Sequence, residues 1–228
     1  MIQKDYQMVF NRVDSMDDLF FDNIKKEQIG SHAVLFRKKL IDQEHYFYET
    51  IQAIAAEIPF HHYETRGGGR IAAAMTGCGN ISWISDQYKG YRYEAFNPIT
   101  KRKWPAIPKL FFDYAQECAA AGGFENFIPD SCLINRYAIG DKMGLHCDKD
   151  EKDLTAPIVS LSFGLSAPFI WGGLSRTDPK KRYMLHSGDV VVWGGESRLV
   201  YHAIGAVQKG NHPIFGPYRY NLTFRKVY

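Results

Sequence analysis

The sequence predicts an α+β protein, with helices in its N-terminal half and a β-sandwich or barrel as its C-terminal body. Residues 42–60 and 107–123 have helical periodicity. From residue 156 onward the pattern changes to short apolar or alternating runs separated by Gly, Pro and Asp, which is typical of strands joined by turns. No linker separates the halves, so we expect one domain over residues 1–228.

The two helices have recognisable ends. The first is expected to begin at a capping Asp42, with Glu44 nearby, and to stop before Pro59. The second is expected to close at Gly122 and Gly123. Residues 1–45 form a weakly patterned N-terminal extension to which we assign no function. Within it, the run SHAVLFRKKLI alternates as a strand does.

Four segments carry the strand signal in the C-terminal body: APIVSLSFGLSAPFIWGG, RYMLHSGDVVVWGG, SRLVYHAIGAV and RYNLTFRKVY. Each is short, rich in β-branched or aromatic residues, and bounded by turn residues. A series of such strands after two helices favours a sandwich or barrel over a parallel α/β sheet.

Composition narrows the class of protein. With 45% hydrophobic and 23% charged residues, the chain resembles an ordinary soluble globular protein. No apolar run approaches the ~18 residues of a membrane span, and the first residues lack the order of a signal peptide. The four cysteines are scattered without a Cys-x-x-Cys pair, which argues against structural zinc. We therefore expect a cytoplasmic protein with no membrane partner.

Charge is unevenly distributed along the chain. Residues 66–103 and 176–226 are rich in Lys and Arg, whereas residues 104–175 carry an excess of Asp and Glu. This alternation suits a basic surface around an acidic, cation-binding centre, and such a protein would bind a polyanion. A chance distribution over a solvated surface is the alternative.

The run GLHCDKDE contains a candidate metal site. On a strand, His146 and Asp148 point to the same face while Cys147 faces away. His202, in the predicted strand LVYHAI, can supply a third ligand. Two histidines and one carboxylate with open positions form the facial triad of non-haem Fe(II) oxygenases. A catalytic zinc could use the same ligands, so this choice stays open.

Other histidines are weaker candidates. His62 and Glu64 have the same spacing, but they precede three glycines in a segment without a packed strand around it. Metal ligands need rigid support from their surroundings, so we disfavour this pair. We expect His186, beside a turn, and His212, before Pro213, to be surface residues.

The last predicted strand has one polar face. Arg219, Asn221, Thr223 and Arg225 alternate with Tyr220, Leu222 and Phe224. If the aromatic face is outside, the polar face needs an anionic partner, because an unpaired buried arginine is costly. A guanidinium can hold a carboxylate through two hydrogen bonds. Asn135 and Tyr137, upstream of the metal ligands, are further donors to a small dicarboxylate. The alternative is a solvated edge strand.

These motifs resemble the bacterial AlkB family of Fe(II)/2-oxoglutarate-dependent DNA demethylases. The resemblance is carried by CLINRYAIGDKMGLHCDKDE, APIVSLSFGL, GDVVVWGGESRLVYH and RYNLTFR, in order between about Met75 and Arg225. It implies a double-stranded β-helix (jelly roll) over residues 130–228, with N-terminal helices and a nucleotide-recognition lid over residues 66–103. It also implies Fe(II) at His146, Asp148 and His202, and 2-oxoglutarate at Asn135, Tyr137, Arg219, Asn221 and Arg225.

The lid segment interleaves cations with aromatic residues, which is typical of single-strand binding. Partly buried tyrosines on a β-hairpin are the alternative. The resemblance makes Trp83 a stacking wall for an extruded base and places Tyr91, Arg92 and Tyr93 near the phosphates or the base. It assigns Asp150 to the base edge and Arg176 to a further substrate contact. The segment between Trp83 and Tyr91 is one residue longer than the family pattern.

The function implied by the resemblance is direct-reversal repair of N-alkylated bases, such as 1-methyladenine and 3-methylcytosine, preferably in single-stranded DNA. The methyl carbon is oxidised and released as formaldehyde, while 2-oxoglutarate and O2 become succinate and CO2. We expect a monomer. Two alternatives are an oxygenase of the same type acting on RNA, protein or a small molecule, and a non-catalytic jelly roll that binds a metal or carboxylate.

Overall fold

Two face-to-face antiparallel sheets, two helices and a separate hairpin make up the part of the chain that the computed structural model describes, residues 25–228. The helices are α1 (Glu44–Glu57) and α2 (Lys109–Ala121). The strands are β1 (Lys26–Gly30), β2 (Ala33–Phe36), β3 (Ala74–Gly79), β4 (Ser82–Asp86), β5 (Gly90–Glu94), β6 (Ser131–Ala138), β7 (Met143–His146), β8 (Ile158–Gly164), β9 (Ala167–Trp171), β10 (Lys181–Leu185), β11 (Val190–Trp193), β12 (His202–Ile204) and β13 (Tyr218–Arg225).

The strand order defines the architecture. The large sheet runs β1-β2-β11-β8-β13-β6-β3, the small sheet runs β10-β9-β12-β7, and β4 pairs with β5 as the lid hairpin. From β8 to β13 the chain passes repeatedly between the two sheets, and every pairing is antiparallel. This arrangement confirms the predicted double-stranded β-helix.

The alternation of side chains in β11 shows how the layers are built. Val190 and Val192 pack with α1 and α2 on the outer face of the large sheet. Val191 and Trp193 face the other way, into the space between the sheets. Because neighbouring residues of a strand point to opposite faces, a continuous apolar strand can serve both cores. The helices therefore cover one face of the large sheet, and the small sheet covers the other.

Both predicted helices are present, and one of their predicted caps is wrong. Asp42 lies in a 3-10 turn, Ile41–Gln43, so α1 begins after it, and Gln43 at the N-cap makes no side-chain capping bond. The helix ends before Pro59, as predicted. After α2, Gly123 has a φ of 94°, a conformation that favours glycine. Within residues 25–228, no helix is long and apolar enough to cross a membrane.

The segment boundaries taken from the sequence need correction. Residues 26–36 form two strands at one end of the large sheet, so only residues 1–24, which lie outside the described range, keep the weakly patterned assignment. Strand β3 forms the opposite edge of that sheet, so residues 74–79 belong to the jelly roll and not to the lid. The jelly roll therefore extends beyond residues 130–228.

Candidate active site

The three predicted metal ligands meet where β7 pairs with β12. His146 and His202 are direct partners in this antiparallel pairing, and their ring centroids are 4.4 Å apart. Asp148 lies two residues beyond the end of β7, so it reaches the site from a loop and not from the strand predicted for it. One ligand atom from each of the three residues lies within 4.8 Å of the others. This donor set fits an Fe(II) site with open positions.

Backbone carbonyls orient both imidazoles for metal binding. Nδ1 of His146 lies 2.8 Å from the carbonyl oxygen of Gly144, and Nδ1 of His202 lies 3.0 Å from that of Val200. A carbonyl can only accept, so Nδ1 carries the proton and Nε2 is left as a lone-pair donor. Burial, and then the charge of His146, lowers the pKa of His202 to about 4, so this ring is neutral at neutral pH.

Asp148 is held as a carboxylate by a buried ion pair. Burial by itself would raise the pKa of this carboxyl, but Arg225, His202 and His146 together lower it well below its usual range. Arg225 Nη2 lies 2.8 Å from Asp148 Oδ2, and His146 Nε2 lies 3.8 Å from Asp148 Oδ1. One carboxylate oxygen is therefore held by the guanidinium, and the other faces the histidines.

The competing histidines take no part in this cluster. His62 donates from Nδ1 to the carbonyl of Ile71 at 3.0 Å, and Glu64 forms a β-bridge with Arg70. Within residues 25–228, no other group of three or more His, Cys, Asp or Glu side chains is close enough to hold a metal.

The two histidines predicted to be surface residues differ in exposure. His186 is exposed, as predicted. His212 is not a surface residue, because it is half-buried and its Nε2 lies 3.3 Å from Glu44 Oε1.

A cavity of about 640 Å³ surrounds the metal ligands. Its volume is typical of a small-molecule site. Its lining includes most of the predicted site residues: Asn135, Tyr137, Asn221 and Arg225 on the large sheet, Trp83, Tyr91 and Tyr93 on the lid hairpin, and Asp150 and Arg176 on loops. Arg92 and Arg219 are the two predicted residues that do not line it.

The polar wall of this cavity is formed by Asn221 and Arg225 of strand β13 and by Asn135 and Tyr137 of β6. Strand β13 lies between β8 and β6 inside the large sheet, so the solvated edge-strand alternative is wrong. Its aromatic face is not outside either, because Tyr220, Leu222 and Phe224 are buried in the core beneath α1 and α2. The polar face is buried as well, which leaves two arginines inside the protein.

Unpartnered donors on strand β13 fit an anionic ligand. Among the described residues, Nε of Arg219 and Nη1 of Arg225 are buried without a hydrogen-bond partner. Arg219 is 1% exposed, and burial lowers its pKa to about 10, so it stays cationic at neutral pH. It donates through Nη2 to Ser162 at 3.1 Å. Buried donors without partners are costly, and a dicarboxylate would satisfy them.

The lid hairpin provides an aromatic wall opposite the metal ligands. Trp83 stacks on Tyr91, with ring centroids 5.3 Å apart and planes 24° apart. Trp83 Nε1 donates to Asp150 Oδ2 at 3.3 Å, and Asp150 is exposed. Arg176, also exposed, lies over the ring of Tyr201 at 5.2 Å. A planar base could stack here while its edge faces Asp150.

Arg92 lies on the opposite face of the hairpin. It pairs with Asp86 and Glu94, each at 2.7 Å, while Tyr91 and Tyr93 face the cavity. Its predicted substrate contact is therefore not supported by its position.

Two residues that the sequence interpretation passed over sit directly behind the metal site. Glu151 and Arg198 are buried and form an ion pair at 3.0 Å. Glu151 closes the acidic run that contains Asp148, and Arg198 precedes His202 in the segment GGESRLVYH. Their only signal in the sequence is this closeness to the ligands, since nothing in a single sequence shows that they pair.

The fold and the site define a class of protein, and comparison with known families agrees. Residues 33–225 match the family model described as the 2OG-Fe(II) oxygenase superfamily. The solved structure of OsALKBH1 superposes with a TM-score of 0.77 at 28% identity, covering 89% of this chain and 100% of that chain. The protein is thus an Fe(II)- and 2-oxoglutarate-dependent dioxygenase, and the non-catalytic jelly roll is set aside.

Similar proteins assign the chain to one family within this class of dioxygenase. The α-ketoglutarate-dependent dioxygenases AlkB of Escherichia coli and Salmonella typhimurium are 47% and 46% identical over 213 residues, 93% of this chain and 98% of each relative. The tRNA demethylase abh1 of Schizosaccharomyces pombe is 31% identical over 151 residues, 65% of this chain and 47% of that protein. The chain belongs to the AlkB family.

Proposed function

We propose that this protein repairs N-alkylated bases in DNA, of the 1-methyladenine and 3-methylcytosine type, by oxidative demethylation. The observation that carries the proposal is the aromatic wall of Trp83 and Tyr91, which lines the same cavity as His146, Asp148 and His202. The AlkB relatives, at 46% and 47% identity, support the same chemistry.

The lid hairpin and nearby loops receive the base in this proposal. Trp83 stacks on an extruded base, which is cheapest to extrude from a single strand. Asp150 accepts a hydrogen bond from an exocyclic amine, so adenine and cytosine lesions are favoured. Tyr91, Tyr93 and Arg176 contact the rest of the nucleotide. Single-stranded DNA is therefore the proposed preference.

The polar wall holds the co-substrate. Arg219 and Asn221 bind one carboxylate of 2-oxoglutarate, and Arg225, Asn135 and Tyr137 orient the remainder. Bound Fe(II), with 2-oxoglutarate and O2, supplies the oxidation of the N-methyl carbon, with succinate and CO2 as by-products. The hydroxymethyl group then leaves as formaldehyde and the base is restored. The apolar cavity walls exclude water from this step.

Quaternary structure and location complete the proposal. We infer that the protein is a monomer. We place the protein in the cytoplasm, in keeping with its four free cysteines.

The test is formaldehyde release from a panel of methylated oligonucleotides with Fe(II) and 2-oxoglutarate. The panel contains single-stranded DNA, double-stranded DNA and RNA, because one relative is a tRNA demethylase. We expect the fastest release from single-stranded DNA with 1-methyladenine or 3-methylcytosine, and none from a His146→Ala control. Faster release from RNA, or succinate formation without formaldehyde on every member, would overturn the DNA assignment.

A further inference from the structure

Glu151 joins the lid hairpin to the metal site. Its side chain is 2% exposed, and three groups from different parts of the chain contact it, two as hydrogen-bond donors and one as an ion-pair partner. The hydroxyl of Tyr93 lies 2.5 Å from Oε1, Arg225 Nε lies 3.2 Å from Oε1, and Arg198 Nη2 lies 3.0 Å from Oε2. Both carboxylate oxygens are thus engaged inside the protein, in contrast to the exposed Asp150.

Arg198 fixes the loop that carries the metal ligand Asp148. Its Nη1 donates to the backbone carbonyl of Asp148 at 2.6 Å, and its Nε donates to that of Ala156 at 3.1 Å. With its third bond to Glu151, one planar guanidinium holds three points of this loop. An ammonium group cannot copy this geometry, because its donors do not form a rigid fork.

The same loop contacts the lid hairpin at two points. Asp150 accepts from Trp83 at 3.3 Å, and Glu151 accepts from Tyr93. The second contact is the better shielded, because Glu151 is buried and Asp150 is exposed. Burial raises the pKa of Tyr93 well above its usual value, so its hydroxyl keeps its proton as a donor. A hydrogen bond to a buried charge is among the stronger kinds in proteins.

We propose that Glu151 and Arg198 are positioning residues that couple docking of the lid hairpin to the placement of Asp148. When Tyr93 donates to Glu151, the hairpin is held against the loop that Arg198 fixes at Asp148. A base stacked on the hairpin is thereby placed at a set distance from the metal ligands. The role of the coupling in substrate placement rests on the proposed function, whereas the docking itself does not.

The first experiment follows the hairpin without any substrate. Hydrogen exchange is measured over residues 82–94 in the metal-free protein, for wild type, Tyr93→Phe and Tyr88→Phe. Tyr93→Phe loses only the donor to Glu151, so we expect exchange in the hairpin to become about 10-fold faster. Tyr88→Phe is the matched control, since its side chain is in the same hairpin and 82% exposed. Unchanged exchange in Tyr93→Phe would overturn the docking role.

The second experiment uses Tyr93→Phe, Glu151→Gln and the double variant in a cycle. We expect each single variant to raise KM for a methylated oligonucleotide about 10-fold, and the double variant to be no worse than Glu151→Gln. Effects that multiply would show that the two residues act separately, as they would if Tyr93 acted only through its own contact with the nucleotide. Tyr93→Phe keeps the proposal testable even if Glu151→Gln fails to fold.

Arg198→Lys tests the other end of the coupling. We expect it to bind 2-oxoglutarate normally and to form succinate, but to release several-fold less formaldehyde per succinate, because the loop no longer holds the hairpin, and with it the base, at a set distance from the metal ligands. An unchanged ratio would overturn the role of Arg198. If wild type releases no formaldehyde from any oligonucleotide, the proposed function fails, while the exchange experiment still decides the docking.

Discussion

His146 and His202 face each other as direct partners across the pairing of β7 and β12. Each ring donates from Nδ1 to a carbonyl two residues before it, at 2.8 and 3.0 Å. The register of the two strands places the rings next to each other. The hydrogen bonds to the backbone occupy Nδ1, so Nε2 of each ring is free to bind a metal. Together with Asp148, they form a preorganised site for a divalent metal.

Loss of any one ligand should abolish iron binding. We expect His146→Ala, Asp148→Ala and His202→Ala each to lose turnover while keeping the fold, since a two-ligand remnant cannot hold Fe(II) tightly. Anaerobic titration with Fe(II) and 2-oxoglutarate measures this directly. The matched control is the double variant His62→Ala, Glu64→Ala, because these two residues have the same spacing but lie outside the cluster. Loss of iron binding only in that control would refute the site.

Arg219 should control the requirement for 2-oxoglutarate. Arg219→Ala removes an ion pair to a carboxylate, so KM for 2-oxoglutarate should rise by about 10-fold or more. Arg219→Lys keeps the positive charge but should recover only part of the loss, because an ammonium lacks the bidentate fork. Arg136→Ala is the control, since this arginine lies over the rings of Phe60 and Tyr218 instead. Normal 2-oxoglutarate saturation in Arg219→Ala would contradict the assignment.

Trp83 should contribute to substrate affinity alone. One base–aromatic stack is worth roughly 1–3 kcal/mol, so Trp83→Ala should bind methylated single-stranded DNA about 5- to 150-fold more weakly. Binding of iron and 2-oxoglutarate should be unchanged, and both can be titrated in the same sample. Full activity in Trp83→Ala would mean that this ring only supports Tyr91.

Asp150 should determine which lesions are preferred. Asp150→Ala removes an acceptor for an exocyclic amine, so methylated adenine and cytosine should suffer more than lesions without that amine. Asp150→Asn keeps one acceptor oxygen and should retain part of the preference. The measurement is formaldehyde release across a lesion panel, with succinate formation in the absence of DNA followed alongside. Equal loss on all lesions would reduce Asp150 to support of Trp83, to which it is hydrogen-bonded.

Thiol labelling should distinguish Cys147 from the other cysteines. Cys78, Cys118 and Cys132 are fully buried, and burial raises the pKa of Cys118 to about 12, so its unreactive protonated form persists far above neutral pH. At pH 8 we expect one labelled thiol per native chain, at Cys147, and slower labelling once Fe(II) and 2-oxoglutarate occupy the adjacent site. Mass spectrometry of the labelled protein gives the count. Two or more labelled thiols in the native state would be inconsistent with this core.

The sequence by itself was sufficient for the features that depend on local order. Helical periodicity located α1 and α2, and the period of two in β13 separated its arginines from its aromatic residues. The spacing of His146 and Asp148, with His202 on a later predicted strand, was sufficient to predict which three side chains come together. The helical and strand patterns each lie within one segment. Two histidines with one carboxylate are a ligand set characteristic of a metal site.

The tertiary structure decided everything that depends on which segments become neighbours. Asp42 lies in a 3-10 turn and does not cap α1. Residues 26–36 form strands of the large sheet, because pairing with β11 outweighs their weak local pattern. The aromatic face of β13 turned inward because two helices cover it. Glu151 and Arg198 are 47 residues apart in the chain. They pair only once the sheets have formed and buried both charges, because a buried charge without a partner is costly.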